Sequence, residues 1–138
     1  MTARVFFDTN VLLYFATDAG RRTALAEQLI IEGGVISVQV LNELVSIARG
    51  KLKMSWDEVR AVRDKTLVFC PNPVSLTEEI HRSALEMSAR YGFHIYDALI
   101  LAAAIEAGCS KLLTEDLQHG QMVEGVRIEN PFLYPQAP

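Results

Sequence analysis

Four acidic residues stand at positions in the sequence where a carboxylate could take part in chemistry. Asp8 and Asp116 each follow a short apolar run that predicts a buried strand, and parallel sheets bind ligands beyond the carboxyl ends of their strands. Glu43 has apolar neighbours along one flank of a predicted helix, and Asp97 opens the most apolar helical stretch of the chain. Each position also has a purely structural interpretation, as a helix cap, a first-turn acid or a glutamate at the edge of the core whose tip reaches water.

Four carboxylates gathered in one crevice would repel one another unless protons or a cation neutralised them. Hard cations such as Mg²⁺ and Mn²⁺ prefer oxygen ligands, whereas structural zinc sites are rich in Cys and His. The histidines His81, His94 and His119 are scattered without ligand spacing, and only His94 precedes one of the acids by about one helical turn. The side chains therefore predict a Mg²⁺ or Mn²⁺ site rather than a zinc site.

The composition predicts one globular domain that spans residues 1–138. Half of the residues are hydrophobic and 22% are charged, which excludes an intrinsically disordered chain. No apolar stretch approaches the roughly 18 residues that a membrane-spanning helix needs, and the N-terminus lacks the apolar region of a signal peptide. We therefore expect a cytoplasmic protein with no membrane segment, in which Cys70 and Cys109 are reduced thiols.

Basic side chains are concentrated in one segment of an otherwise acidic chain. The formal net charge is −4, but the segment 49–65 carries six basic and three acidic side chains. Because an acidic surface repels polyanions, RNA is expected to approach over this segment. The candidate RNA-binding residues are Arg49, Lys51, Lys53, Arg60 and Arg63.

Short apolar runs alternate with stretches of helical periodicity along the chain. This alternation predicts an α/β protein, a three-layer α/β/α sandwich with a mostly parallel central sheet. The predicted strands cover residues 5–7, 35–36, 111–114 and 126–128. The predicted helices cover residues 11–15, 21–32, 38–49, 55–67, 77–91 and 96–107.

The segments around the four acids resemble the PIN-domain nucleases, and in particular the bacterial VapC-type toxin ribonucleases. The segments that carry the resemblance are VFFDTNVL at residues 5–12, VLNEL at 40–44, YDALI at 96–100 and LLTED at 112–116. Each motif is weak alone, but four of them in this order span most of the predicted domain. The resemblance implies a PIN-like fold and a Mg²⁺- or Mn²⁺-dependent endoribonuclease that leaves 3′-hydroxyl and 5′-phosphate ends.

The resemblance also implies roles for individual residues. The catalytic, metal-binding carboxylates would be Asp8, Glu43, Asp97 and Asp116. Thr9 would support the site through its hydroxyl group, Asn10 would hold the turn after the first strand, and Thr114 matches the family's hydroxyl position before the last acid. Many relatives carry a further Asp followed by Phe where this chain has Gln118 and His119, which puts a second metal position in doubt.

As a toxin, the protein would cleave an RNA substrate and be restrained by a small antitoxin that inserts a segment over the acidic groove. Homodimerisation is usual in the family. Two alternatives remain open: a PIN-like nuclease of RNA processing or repair outside toxin–antitoxin biology, and a non-catalytic interaction module with the same fold. Phosphoryl transfer through an aspartyl phosphate on Asp8 fits less well, because that pattern needs a second Asp where the chain has Asn10.

Overall fold

The computed structural model describes residues 4–133, and the two ends of the predicted domain, residues 1–3 and 134–138, lie outside the described residues. The strands in this part of the chain are β1 (Val5–Phe7), β2 (Lys111–Leu113), β3 (Met122–Val123) and β4 (Val126–Glu129). The helices are α1 (Thr9–Ala16), α2 (Arg21–Ile31), α3 (Val38–Gly50), α4 (Trp56–Phe69), α5 (Glu78–Tyr91) and α6 (Ile95–Glu106). Every predicted helix is present, with its ends shifted by no more than about one helical turn.

The strands form one mostly parallel sheet, as predicted. Its order is β1-β2-β4-β3, with β1 and β4 both parallel to β2 and β3 antiparallel to β4. Phe7 pairs with Leu113, so β1 and β2 end side by side. Because of this register, the residues that follow the two strands emerge at the same edge of the sheet.

The two edges of the sheet differ from the sequence prediction. The predicted strand 35–36 is reduced to a single parallel bridge, in which Val35 makes two backbone hydrogen bonds of 2.9 Å to β1. At the other edge, β3 and β4 are joined by Glu124 and Gly125, both with positive φ angles of 47° and 87°. This tight turn gives β4 an antiparallel neighbour that sequence periodicity does not predict, because β3 is only two residues long.

Helices cover both faces of the sheet. Successive side chains of a strand point to opposite faces, and Phe6 and Phe7 of β1 are both almost completely buried. The most apolar helix, α6, packs against α5 and β2, and its residues 98–104 are all buried. The helix α1 packs against α2 and α3. The predicted three-layer α/β/α sandwich is therefore confirmed.

The start of α3 is fixed by the residues between it and β1. Ser37 caps the helix by accepting a hydrogen bond of 3.2 Å from the backbone N–H of Val40. At Gly34 a Cβ atom would lie 2.4 Å from the ring of Phe7, so glycine allows the chain to pass this close to β1. These contacts set the direction in which α3, the helix that carries Glu43, leaves the sheet.

The two cysteines are buried free thiols, in agreement with the prediction. Burial raises the pKa of the Cys70 thiol to about 11 and also raises the pKa of Cys109, so both are unreactive at neutral pH. Among residues 4–133, no helix combines the length and the apolar character needed to cross a bilayer.

Candidate active site

The four predicted acids line one cleft. The cleft has a volume of about 560 Å³ and lies beyond the ends of β1 and β2, with walls from α1, α3 and the first turn of α6. The acids that contribute to its wall are Asp8, Glu43, Asp97 and Asp116. A second groove of about 470 Å³, between α5 and α6, is lined by none of the predicted site residues. The fold thus brings four separate acidic segments to the edge of the sheet where parallel sheets bind ligands.

Asp8 is the buried member of the group, with 3% of its surface exposed. It is also the N-cap of α1, because its Oδ1 accepts a hydrogen bond of 2.6 Å from the backbone N–H of Thr9. Its Oδ2 accepts a hydrogen bond of 2.7 Å from the hydroxyl of Thr114. Burial is the main cause that raises the pKa of Asp8 from 3.8 to about 7; these hydrogen bonds oppose the shift, and the nearby carboxylates of Asp116 and Glu43 add to it. The capping role and the place in the cleft therefore coexist at one residue.

Glu43 reaches the cleft from the middle of α3. Its Oε2 accepts a hydrogen bond of 2.9 Å from the hydroxyl of Thr9, and this bond and the side chain of Gln39, one turn earlier, both act to lower its pKa. Burial is the main cause that raises the pKa of Glu43, and the carboxylates of Asp97 and Asp116 contribute to the same shift. Glu43 is therefore within electrostatic reach of the other acids.

Asp116 is the exposed member and lies on the irregular loop 114–121 between β2 and β3. Its Oδ2 accepts a hydrogen bond of 3.1 Å from the side-chain amide of Asn10, and its backbone N–H donates to the Thr114 hydroxyl at 3.0 Å. The family resemblance predicts that Asn10 holds the turn after β1. In the structure the Asn10 amide connects α1 to the last acidic segment, and its role at the turn stays a prediction.

Asp97 lies in the first turn of α6, where the N-cap is His94. The Nδ1 atom of His94 accepts a hydrogen bond of 3.2 Å from the backbone N–H of Tyr96. Burial is the main cause that raises the pKa of Asp97, the Asp116 carboxylate adds to this shift, and His94 opposes it. His94 therefore influences the cleft electrostatically from its position one turn before the acid.

The chemistry of these side chains fits a hard divalent cation. The hydrogen bonds described for Asp8, Glu43 and Asp116 come from hydroxyl, amide and backbone N–H groups, which are neutral. Asn10 supplies a further oxygen, Oδ1, which is buried and has no hydrogen-bond partner in the part of the chain that is described. Within residues 4–133, no three His, Cys, Asp or Glu side chains already lie close enough together to hold a metal ion.

The predicted basic residues lie at different distances from this cleft. Lys51 lines it. Arg49 donates a hydrogen bond of 2.8 Å to the backbone oxygen of Met54, and its guanidinium lies 4.4 Å from the centre of the Trp56 ring. Lys53 is exposed on the segment between α3 and α4. Of this group, Lys51 is therefore the residue placed to meet a ligand in the cleft.

Arg60 and Arg63 lie on α4 and pair with acids of the same helix. Arg60 is 3.1 Å from Asp57, and Arg63 is 3.5 Å from Asp64. Both arginines are exposed, and neither is among the residues that line the cleft. The structure therefore does not bring these two arginines to the four acids of the cleft.

Three further side chains at the rim of the cleft form a unit that local sequence patterns do not reveal. The hydroxyl of Tyr14 donates to Oε1 of Glu115 at 2.5 Å, and Nη1 of Arg22 donates to the Tyr14 oxygen at 2.6 Å and to Oε2 of Glu115 at 2.7 Å. Burial and the Glu115 carboxylate raise the pKa of Tyr14, and Arg22 opposes the shift. Arg22 and Glu115 are 93 residues apart, so only the packing of the fold brings them together.

Comparison with known proteins identifies a family and a fold. The sequence profile of the PIN domain matches residues 5–124 of the chain. No curated protein sequence matches the chain significantly. Among solved structures, a toxin–antitoxin complex from Klebsiella pneumoniae has a TM-score of 0.69 and 23% sequence identity, and the match covers 93% of this chain and 98% of that one.

Two further solved structures have the same fold. A DNA-bound VapBC from Salmonella typhimurium has a TM-score of 0.69 and 20% identity over 94% of this chain and 99% of that chain. VapC20 from Mycobacterium tuberculosis, described as a toxin that cleaves the sarcin-ricin loop, has a TM-score of 0.66 and 17% identity over 81% of this chain and 89% of that one. These likenesses are structural, whereas the profile match covers most of the sequence, including all four acidic segments. The chain belongs to the PIN-domain family.

Proposed function

We propose that this PIN-domain protein is a divalent-metal-dependent endoribonuclease and the toxin of a toxin–antitoxin pair. The observation that carries the proposal is the convergence of four carboxylates in one cleft beyond the parallel strands. The pKa values of Asp8, Glu43 and Asp97 are all raised, first by burial and then by neighbouring carboxylates. A cleft with this excess of negative charge is suited to a cation and, through the cation, to a phosphodiester.

The residues that would hold Mg²⁺ or Mn²⁺ are Asp8, Glu43, Asp97 and Asp116. A divalent cation held there would supply Lewis-acid polarisation of a phosphodiester and would lower the pKa of a bound water. The contribution of the surrounding side chains is to fix the carboxylates. Thr114, Thr9 and Asn10 each hydrogen-bond to a different one, so the ligands are held in place before a substrate arrives.

RNA would enter the cleft from the side formed by the end of α3 and the start of α4. Lys51 lines the cleft on this side, and Arg49 stacks on the ring of Trp56, which is 53% exposed. Lys and Arg bind phosphates, and unpaired bases stack on aromatic rings. This side therefore offers both kinds of contact to a single-stranded segment of RNA, next to an acidic quartet that repels it.

The assignment to toxin–antitoxin biology is supported by the structural neighbours. The Klebsiella pneumoniae structure is a toxin–antitoxin complex, and VapC20 is a toxin that cleaves the sarcin-ricin loop. For this chain we infer a small antitoxin protein that covers the acidic cleft, a homodimer as the assembled state, and the cytoplasm as the compartment where it meets RNA.

The enzymatic part of the proposal is tested by incubating the purified protein with a panel of structured RNAs in Mg²⁺, in Mn²⁺ and in EDTA. Asp97→Asn removes one carboxylate of the cleft, and Asp57→Asn makes the same change of charge at a side chain that is 97% exposed on α4. We expect the wild type and Asp57→Asn to cleave in either metal, and no cleavage in EDTA or by Asp97→Asn. Cleavage that survives EDTA, or that a folded Asp97→Asn variant retains, would contradict the proposal.

The toxin part is tested by expressing the wild type and Asp97→Asn separately in growing cells. We expect growth arrest by the wild type alone, and its relief by co-expression of a small protein encoded beside it. Metal-dependent RNA cleavage without growth arrest would instead indicate a nuclease of RNA processing or repair. Absence of both cleavage and metal-induced stabilisation would indicate an interaction module.

A further inference from the structure

Tyr14, Arg22 and Glu115 form a cluster at the rim of the cleft. This rim cluster joins three parts of the fold that are distant in sequence. Tyr14 is on α1, Arg22 is on α2, and Glu115 lies on loop 114–121 directly before Asp116. The Arg22 guanidinium lies 5.2 Å from the centre of the Tyr14 ring and 5.7 Å from that of Phe132. The two rings meet edge to face, with centroids 4.9 Å apart. The arginine is thus held by two hydrogen bonds, one of which is also an ion pair with Glu115, and it lies against two aromatic rings.

The loop next to this cluster carries one of the four acids although it has no regular secondary structure. Asp116 is exposed, and the loop around it contains no helix or strand. Three consecutive side chains connect the loop to the rest of the fold. Thr114 donates to the buried carboxylate at the end of β1, Glu115 contacts α1 and α2 through the cluster, and Asp116 accepts from the Asn10 amide on α1. Of these contacts, the one between Glu115 and Arg22 joins two opposite charges, and charge-assisted hydrogen bonds are stronger than neutral ones.

We propose that Tyr14, Arg22 and Glu115 form a brace that positions the Asp116 carboxylate for the cation in the cleft. The three are positioning residues, because they act on Asp116 through the backbone of the loop. The inference rests on the proposed function, in which Asp116 is a metal ligand. It assigns the short sequence Glu115-Asp116 two tasks, with one acid anchoring the loop and the other facing the cation.

The brace has a specific consequence for metal binding. When Asp116 is free to sample other positions, binding of the cation must also order the loop. This ordering costs entropy, so the affinity of the protein for the cation falls. A sufficient concentration of metal restores the ordered state by mass action. The expected signature is therefore weaker binding of metal with a turnover number that recovers at saturating metal.

The test compares Arg22→Gln and Tyr14→Phe with a matched control. Arg22→Gln removes the positive charge of the brace, and Tyr14→Phe removes the phenolic oxygen while keeping the aromatic ring. The control Arg82→Gln removes an arginine that also forms an ion pair of 2.7 Å, with Glu78 on α5, and does not line the acidic cleft. Mn²⁺ affinity of the metal-free proteins is measured by titration calorimetry, and RNA cleavage is measured as a function of Mn²⁺ concentration.

We expect Arg22→Gln to weaken Mn²⁺ binding about tenfold, at the lower end of what is typical for residues that orient metal ligands. Tyr14→Phe should shift the affinity in the same direction by a smaller factor, Arg22→Lys should restore part of it, and Arg82→Gln should leave it unchanged. The melting temperature of each variant verifies that it is folded, and Tyr14→Phe, the smaller change, serves if Arg22→Gln does not fold.

Two outcomes would overturn the inference while leaving the proposed function intact. One is a wild-type Mn²⁺ affinity in both brace variants. The other is a loss of turnover number with an unchanged Mn²⁺ dependence, which would indicate that the cluster contacts RNA or only supports the fold. If the wild type itself neither binds Mn²⁺ nor cleaves RNA, the proposed function fails and the inference fails with it.

Discussion

Replacement of Asp8 by Asn should make the metal-free protein more stable at alkaline pH than the wild type. Asp8 is 3% exposed and its pKa is raised to about 7, chiefly by burial. An unfolded chain would release the proton near the ordinary value of 3.8. Between these pH values the folded state holds a proton that the unfolded state has lost, so stability falls as the pH rises. Asn is neutral throughout and removes this dependence.

The size of the effect follows from the difference between the two pKa values. One unit corresponds to about 1.4 kcal/mol, so the ionised Asp8 lowers the free energy of unfolding by about 4 kcal/mol above pH 7, relative to its effect below pH 4. About 2.5 kcal/mol of this develops between pH 5 and pH 8. The absolute difference between the proteins also contains the change in the hydrogen bond with Thr114, but the dependence on pH is attributable to ionisation.

Urea unfolding, followed by circular dichroism in EDTA at pH 5 and at pH 8, measures this effect. The free energy of unfolding of Asp8→Asn minus that of the wild type should increase by about 2.5 kcal/mol from pH 5 to pH 8. Asp57→Asn, at an exposed position, should show no such increase. A difference that is the same at both pH values would refute the argument that burial keeps Asp8 protonated. Mg²⁺ at pH 8 should stabilise the wild type more than Asp8→Asn, because a metal ligand must be ionised.

Three further substitutions test the surroundings of the cleft. Thr114→Val removes the buried hydroxyl that donates to Asp8 and should lower the free energy of unfolding by about 1–3 kcal/mol at pH 8; a change below about 0.5 kcal/mol would contradict its importance. Gly34→Ala places a Cβ 2.4 Å from the ring of Phe7 and should lower the free energy of unfolding by about 1–3 kcal/mol. An unchanged melting temperature would contradict the close packing of this segment on β1. Lys51→Gln should weaken RNA binding in EDTA and reduce the slope of log affinity against log salt by about 1, whereas Arg60→Gln should have a smaller effect; the reverse order would move the RNA path to α4.

The sequence predicts the architecture well because the signals that define it are local. Apolar strand residues such as Phe6 and Leu112 alternate with helices that begin at recognisable caps, Ser37 among them. These patterns predict a mostly parallel sheet in a three-layer sandwich, and the structure confirms it. The family resemblance is likewise confirmed, since the PIN-domain profile spans the segments that carry it.

The convergence of the acids could be anticipated only in part. Asp8 and Asp116 follow two strands, and the rule for parallel sheets predicts that they share an edge. The spacing of the sequence does not determine how deeply each acid is buried. Asp8 is enclosed while Asp116 is exposed, because the first continues into α1 and the second lies on a loop.

Long-range contacts that depend on packing were beyond what local patterns can predict. In the sequence, Glu115 indicates only that a strand has ended, and Arg22 is one of several charged residues near the start of a predicted helix. They meet because α2 packs on α1 beside the loop that follows β2. The hairpin of β3 and β4 is not predictable for a different reason, since the two residues of β3 are too few to show an alternating pattern.

The most direct test of the central claim is a calorimetric titration of Mn²⁺ into the metal-free protein at pH 8, because it does not require the RNA target to be known. The measurement compares the wild type with Asp97→Asn, which changes the cleft, and with Asp57→Asn, which makes the same change of charge elsewhere. We predict that the wild type and Asp57→Asn bind Mn²⁺ with the same affinity and that Asp97→Asn binds at least about tenfold more weakly. Equal affinity in all three proteins, or no binding by the wild type, would contradict the claim that these four acids form a divalent-metal site.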